Sequence, residues 1–274
     1  MPWRISVATY NTVHGEDDVA YWLSGDSSWG SVAVADGVSA TSGGGASYLA
    51  VNSFIHACRV YGPDYDGVPT LRRCLDYVAS VAREARPEHA DLVEELKKVY
   101  YRECSRGGDP CTRPLTLSLL LEEKPRLPPS INPRREGPPS TTLLAAAMYR
   151  DRIGFIISGD GAVIGSTGRR SEEVYLLWGA IPQYFAGTKV ARFLEIGAGV
   201  RGRPLIFDMA AVPGSVYAIA TDGVDMAALA EELASLVKTG EMPEEPAAYI
   251  LRRLREKTGG FEDDATLAVI EYTG

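Results

Sequence analysis

The stretch STTLLAAAMYRDRIGFIISGDG, residues 140–161, decides the fold class. Two apolar runs, Thr141–Tyr149 and Arg152–Ser158, are joined by Arg150-Asp151 alone. A link that short cannot cross over to a parallel neighbour, so the two strands pair antiparallel. The second run ends on Gly159-Asp160-Gly161, and this ending recurs. SVAVADG closes on Asp36-Gly37 and SVYAIATDG on Asp222-Gly223. Asp-Gly is the commonest short turn signal, so one copy carries little. Asp66-Gly67, in YGPDYDGVP, has no strand before it and reads as a plain turn. The other three each put a carboxylate at the end of an apolar strand.

Outward from the hairpin, the N-terminal part reads as strands Arg4–Thr9, Val19–Ser24 and Ser31–Ala35. Helices follow at Ala46–Val60 and Leu71–Arg86, and EHADLVEELKKVYYREC extends the helical pattern. Beyond the hairpin come strands Ala162–Ser166, Val174–Trp178, Leu205–Met209 and Ser215–Thr221. Helices Asp225–Lys238 and Pro243–Lys257 precede a last strand, Ala265–Tyr272. In Asp225–Lys238 the apolar positions fall on one helical face. Strands dominate both ends and helices come in pairs. That is α+β, not alternating βαβ. A four-layer αββα sandwich, two antiparallel sheets with a helix pair outside each, uses every element. Residues 1–274 read as one domain. Residues 105–140 are rich in Pro and Arg and read as an insertion outside the core, with LTLSLLLEE its one strand-like piece.

Hydrophobic residues make up 45% and charged residues 23%, ordinary for a soluble globular protein. The net charge of −8 argues against nucleic acid as a partner. No run approaches the roughly 20 apolar residues of a membrane helix, and no targeting segment is visible, so a cytoplasmic location without membrane partners is expected. Cys58, Cys74, Cys104 and Cys111 form no CxxC, which argues against zinc. One Gln and three Asn in the whole chain are a thermophile mark. Cytosolic disulfides occur in such organisms, so Cys104 and Cys111 can pair; free buried thiols are the expectation.

Two more acidic sites lie at strand ends. HGEDDVAYW brings Glu16-Asp17-Asp18 to the second strand, and FEDDATLAVI brings Asp263-Asp264 to the last. Five such sites exceed what turns require. A hard divalent cation wants oxygen ligands, and carboxylates gathered without cations repel one another. A Mg²⁺ or Mn²⁺ site is one reading. Turns and caps scattered over both ends of the sheets are the other.

In this order the motifs resemble the metal-dependent protein phosphatases, the type 2C or PPM-type Ser/Thr phosphatases, over nearly the whole chain. GEDD resembles the early Glu-Asp motif, and VAVADGVSATSGGGASYLAV the Asp-Gly motif with its helix. STTLLAAAMYRDRIGFIISGDG resembles the Thr-Thr strand, hairpin and Gly-Asp motif. GSVYAIATDGV resembles the Ser-Asp-Gly motif with Thr221 for Ser, and EDDATLAVIEY the closing strand with Asp264 for Asn. The resemblance implies the sandwich inferred above, in a prokaryotic, heat-adapted member. It implies a phosphoprotein substrate and hydrolysis by a water held between two ions. It makes Asp36 the bridging ligand, with the Glu16 carboxylate and the Gly37 carbonyl serving one ion and Asp222 and Asp263 the other. Asp17 would hold a water, and Asp160 would support a third ion with Asp222. The alignment of Glu16-Asp17-Asp18 can slip by one.

The departures matter. TYNTVHG lacks the Arg the family often places before Glu-Asp, and Val38 stands where many members have a His. His14 can substitute or sit solvated at its strand end. Asp225 comes one residue early for the family's later aspartate and is equally an N-cap. Gly43-Gly44-Gly45 lack the Lys-Ser/Thr of a phosphate-binding P-loop and read as shaping the loop beside Asp36. CSRGGDPC is not the C-x5-R loop of a cysteine phosphatase. Residues 180–203 match the variable flap, whose Arg192, Arg201 and Arg203 are candidate substrate contacts. Two rivals remain: an inactive phosphatase-like scaffold, and a phosphatase for small phosphoesters.

Overall fold

Valine and alanine alternate through Val32-Ala33-Val34-Ala35, and the alternation sorts the molecule into layers. Val32 and Val34 face a core with Trp3, Val163, Tyr217, Ile219 and Ile270. Ala33 and Ala35 face Val51, Phe54, Leu71 and Val78 on helices. Successive strand residues point to opposite faces, and an unbroken apolar run is what a strand buried on both faces presents.

The computed structural model describes residues 2–116, 137–166, 174–178, 184–185, 188–189, 194–200 and 202–274. In chain order the strands are β1 (Trp3–Tyr10), β2 (Asp18–Leu23), β3 (Trp29–Ala35), β4 (Ser140–Thr141), β5 (Leu143–Tyr149), β6 (Arg152–Ser158), β7 (Ala162–Ser166) and β8 (Val174–Trp178). Short strands β9 (Tyr184–Phe185), β10 (Thr188–Lys189), β11 (Leu194–Glu195) and β12 (Gly199–Val200) precede β13 (Leu205–Ala210), β14 (Val216–Ala220) and β15 (Ala265–Tyr272). The helices are α1 (Gly43–Tyr61), α2 (Val68–Glu84), α3 (Pro87–Cys104), α4 (Met226–Thr239) and α5 (Pro246–Thr258).

Two five-stranded sheets run β1-β15-β14-β7-β8 and β13-β6-β5-β3-β2, with antiparallel pairing at every step. The β5–β6 hairpin pairs Tyr149 with Arg152, as its short link demands. The helix α1 and its neighbour α2 cover one sheet, while α4 and α5 cover the other through Leu229, Leu233, Leu251 and Leu254 packed on Leu267 and Val269. Each fully buried side chain of this size contributes roughly 1.5–3 kcal/mol by leaving water. The α+β fold with its antiparallel layers is therefore the one expected.

Several local expectations change. α1 begins at Gly43, so the three glycines are its first turn and not a loop. α5 begins at Pro246 rather than Pro243. The residue before a proline is pushed out of the helical region, and Glu245 sits at φ −119°, ψ 72°. Asp225 caps α4, its side chain accepting from Ala228 N–H at 2.7 Å.

The cysteine expectation is corrected. Cys104 and Cys111 form a disulfide, with Cα atoms 5.4 Å apart. The chain doubles back after α3, and Cys111 exchanges two backbone hydrogen bonds with Thr9 at 2.9 and 2.8 Å. Cys58 and Cys74 remain free thiols in the α1–α2 packing, Sγ to Sγ 3.5 Å. Part of the Pro-rich segment is also built in. Leu115 is buried beside Tyr100 and Tyr101, and the carbonyl of Gly108 accepts from the Tyr10 hydroxyl. The strand expected over 115–123 lies outside the described residues from 117 onward.

The disulfide closes a short loop, seven residues apart in sequence. Replacing both cysteines with alanine is expected to lower the unfolding free energy by about 2–3 kcal/mol through the loop entropy regained on unfolding. Equilibrium denaturation with and without reductant checks this.

Candidate metal centre

The three strand-terminal Asp-Gly sites meet. Asp36 follows β3, Asp160 lies in the β6–β7 turn and Asp222 follows β14. One carboxylate oxygen from each lies within 4.8 Å of the others. Asp160 is buried, Asp36 half-buried and Asp222 exposed, so the cluster opens to solvent on one side. Asp263 lies exposed alongside, and with Asp222 it lines a cleft of about 580 Å³ floored by Leu254 and Phe261.

The Thr-Thr strand brackets Asp36. Its N–H donates to Thr142 Oγ1 at 2.9 Å, and its carbonyl accepts from Thr142 N–H and the Thr141 hydroxyl at 2.8 and 2.7 Å. Gly37 pairs with Thr141 across an isolated bridge and lies against the start of α1. A Cβ on Gly43 would sit 2.3 Å from the carbonyl carbon of Gly37, and one on Gly45 would sit 2.1 Å from the carbonyl oxygen of Ala90. Glycine is required because α1 enters between the Asp36 loop and α3 with no room for side chains.

Asp17 and Asp36 share one small volume. Burial raises Asp36 from its ordinary 3.8 to about 8, reinforced by Asp222, Asp263 and Asp160 and opposed by a hydrogen bond with Asp17. Asp17 is fully buried, and burial followed by the charges of Asp36 and Asp264 drives its carboxyl well up. Its Oδ2 accepts from the Thr221 hydroxyl at 2.7 Å. Its Oδ1 is buried without a donor. Glu16 is raised too, by burial first and by Glu94 and Asp264, with a Ser39 hydrogen bond opposing. Such oxygen-only crowding fits a hard divalent cation, which would replace the protons.

Asp18 is engaged elsewhere, away from this group. Its Oδ1 accepts from the Tyr101 hydroxyl at 2.8 Å, and its Oδ2 lies 3.2 Å from Lys97 Nζ, both residues wholly buried. Lys97 also donates to the carbonyls of Glu16 and Gly44 and to the Ser47 hydroxyl, at 3.2, 2.8 and 2.8 Å. One buried ammonium thereby ties the Glu16 backbone to the first turn of α1.

Asp264 does similar work on the other flank. Its Oδ1 accepts from the N–H of Val13 and His14, and its Oδ2 from the N–H of Gly15 and Glu16, at 2.6–3.2 Å. An asparagine has one acceptor oxygen where a carboxylate has two, so Asp in place of Asn gathers four donors. Sequence reasoning treated Asp264 only as a replacement and passed over Lys97, which sits in a charged helical run. The acid pair before an apolar strand was the one visible signal. His14 is half-exposed, Nε2 3.9 Å from Asp263 Oδ1. Arg203 is exposed at a separate cleft with Arg72 and Asp76. Arg192 and Arg201 lie outside the described residues.

No family model matches the sequence, and no curated protein sequence matches it. Solved structures do match. The Mycobacterium tuberculosis serine/threonine phosphatase PstP/Ppp is 17% identical, with TM-score 0.58 over 100% of both chains. The PstP catalytic domain in complex with two manganese ions is also 17% identical, TM-score 0.57, over 100% of this chain and 99% of that one. PppA of Pseudomonas aeruginosa is 14% identical, TM-score 0.57, over 99% and 98%. The fold is thus the one used by PPM-type, or type 2C, serine/threonine phosphatases.

Two outcomes are expected. Lys97→Met leaves Asp18 buried without its cation and should cost about 3–5 kcal/mol; adding Asp18→Asn should recover much of it in urea denaturation. The second concerns pH. Asp36 binds its proton more tightly folded (about 8) than unfolded (3.8). Its stabilising contribution is therefore complete below about pH 4 and is lost as pH rises towards 8, and Asp17 adds in the same direction. Without divalent ions, Tm should fall across that range; with Mn²⁺ the slope should flatten. A flat profile in chelator would contradict the crowding.

Proposed function

We propose that this chain is a metal-dependent protein serine/threonine phosphatase, hydrolysing phosphomonoesters on proteins. The observation that carries the reading is the meeting of Asp36, Asp160 and Asp222 from three distant strand ends within 4.8 Å. Shared ancestry of fold alone would not require three carboxylates to be crowded there against their own repulsion.

In this reading Asp36 would serve both of two Mg²⁺ or Mn²⁺ ions, Glu16 and the Gly37 carbonyl would hold one, Asp222 and Asp263 the other, and Asp160 would support a third. Such ions would supply charge neutralisation at the phosphoryl oxygens and a water of lowered pKa. The chain's own groups orient the reaction. Asp17, fixed by Thr221, would hold and orient the attacking water. As that water's oxygen bonds to phosphorus its proton passes to solvent, the ester P–O bond breaks, and the departing alcohol oxygen takes up a proton from solvent. Asp264 and Lys97 hold the Glu16 loop still through its backbone N–H and carbonyl groups. The flap, with Arg192, Arg201 and Arg203, meets the protein part of the substrate, because a metal site recognises only the phosphoryl group. The scarcity of Asn and Gln supports a heat-adapted host, and there the Cys104–Cys111 disulfide is compatible with a cytoplasmic enzyme. No described helix is long and apolar enough to cross a membrane.

Chelator should abolish hydrolysis of phosphopeptides, and Mn²⁺ or Mg²⁺ should restore it. Asp222→Asn keeps the side chain's size and removes a ligand charge, so kcat/KM should fall by orders of magnitude with circular dichroism unchanged. Wild-type protein inert towards phosphopeptides and aryl phosphates at every ion concentration would favour the scaffold alternative. Hydrolysis of aryl phosphates alone would favour a small-phosphoester phosphatase.

A further inference from the structure

A further recess of about 210 Å³ shares the Val13–Gly15 loop with the candidate site and is lined by two cations, Lys98 and Arg102. Val13, His14 and Gly15 form one wall, and Lys98 and Arg102 of α3 form the other. The wall is shared with the site, since Asp264 holds the N–H groups of Val13 through Glu16. His14 also comes within 3.9 Å of Asp263. The recess is rigid on that side. Gly15 has φ +80°, and a Cβ there would lie 2.8 Å from Lys98 Cγ, so the lysine stem packs flat on the glycine.

The two α3 cations differ in their engagement. Lys98 is held by Glu94 at 2.7 Å and Glu95 at 3.5 Å, so much of its charge is compensated. Arg102, one helical turn on, is exposed, and no ion pair or hydrogen bond among the described residues takes its guanidinium. The chain as a whole carries −8, and an acidic surface disfavours anionic partners except where local cations reverse the field. An open guanidinium beside the site suits a planar carboxylate or a phosphate, which it meets with two parallel N–H donors.

We propose that this recess is a second anion subsite, holding a carboxylate or phosphate borne on a residue near the phosphorylated one. The substrates are then acidic or multiply phosphorylated protein segments. This rests on the phosphatase reading above.

The test is a phosphoserine peptide series with one variable position walked along either side of the phosphoserine and occupied by Ala, Asp, phosphoserine or Lys. At low ionic strength the wild-type chain should favour the anionic peptides over Ala by about two- to fivefold in kcat/KM, the scale of an exposed ion pair. The preference should be confined to positions on one side and should shrink with added salt. Arg102→Lys should retain it, and Arg102→Glu should reverse it in favour of the Lys peptides. A preference for phosphoserine without one for Asp would identify the anion as phosphate. The same peptides are titrated by fluorescence anisotropy against the Asp222→Asn protein. If no peptide is hydrolysed, the phosphatase reading falls while the binding ratios still decide the subsite. Equal turnover and equal binding of Ala and anionic peptides at every position, or ratios untouched by Arg102→Glu, would overturn the proposal.

Discussion

Like charges crowded into one small volume are the constraint on which this structure turns. Two unit charges about 4 Å apart repel by about 4 kcal/mol at an effective dielectric near 20. Asp36, Asp160 and Asp222 make three such pairs at comparable separations, before Asp17 and Glu16 are counted. Domains are stable by only about 5–15 kcal/mol in total. The cluster therefore cannot hold itself together, and part of the strain is relieved by Asp36 keeping its proton to about pH 8. The remainder is offset by the apolar layers that fix the strand ends. Val34 and Ala35 are fully buried immediately before Asp36, and Ile219 and Ala220 are fully buried just before Thr221-Asp222. The carboxylates stand at the ends of strands that have no freedom to withdraw.

Backbone contacts complete what the sheets begin. The loop carrying Glu16 has no regular structure, yet both of its faces are held by charge-assisted hydrogen bonds. Asp264 takes four of its N–H groups, and Lys97 takes the Glu16 carbonyl. Such bonds are about twice as strong as neutral ones. A buried lysine is costly unless paired and fully bonded, and Lys97 has four oxygen partners. The Gly43–Gly45 turn makes this possible by bringing the Gly44 carbonyl to Lys97 while α1 touches both the Asp36 loop and α3.

The layers were legible because each signal was local. Arg150-Asp151 allows only an antiparallel pair, and the near-continuous apolar runs Val32–Ala35 and Leu267–Ile270 mark strands buried on two faces. The Asp-Gly sites were legible as a recurring strand ending, but local pattern left their meeting open against turns scattered over both ends of the sheets. What stayed hidden depended on partners distant in sequence. Lys97 lies in EELKKVYYREC, where a lysine beside glutamates looks solvated, and its partners Asp18 and Gly44 belong to other elements. Asp264 reaches a loop 248 residues away from it, and nothing in EDDATL announces four donors. The Cys104–Cys111 bond depends on the chain returning to pair with Thr9, which no local propensity encodes. The α5 start shows a local rule misapplied. Both Pro243 and Pro246 carry the signal, and the helix takes the later one, with Glu245 outside helical geometry directly ahead of the buried Pro246–Ala248 turn.

Helix α3 connects these themes through its geometry. Positions three and four apart share a face, so Lys97 and Tyr101 form one stripe while Glu94, Lys98 and Arg102 form its neighbour. The first stripe is wholly buried and holds Asp18 and the Glu16 backbone. The second borders the recess at Val13–Gly15. A rotation of α3 about its axis would move both at once, loosening the Glu16 loop as it displaced Arg102. The disulfide at Cys104 resists that rotation, since it fixes the last residue of α3 to a segment paired with β1. Geometry at the carboxylates and charge at the recess are thus set by one rigid element. A ligand that met both would find their relative placement already set, so less ordering would remain to be lost on binding.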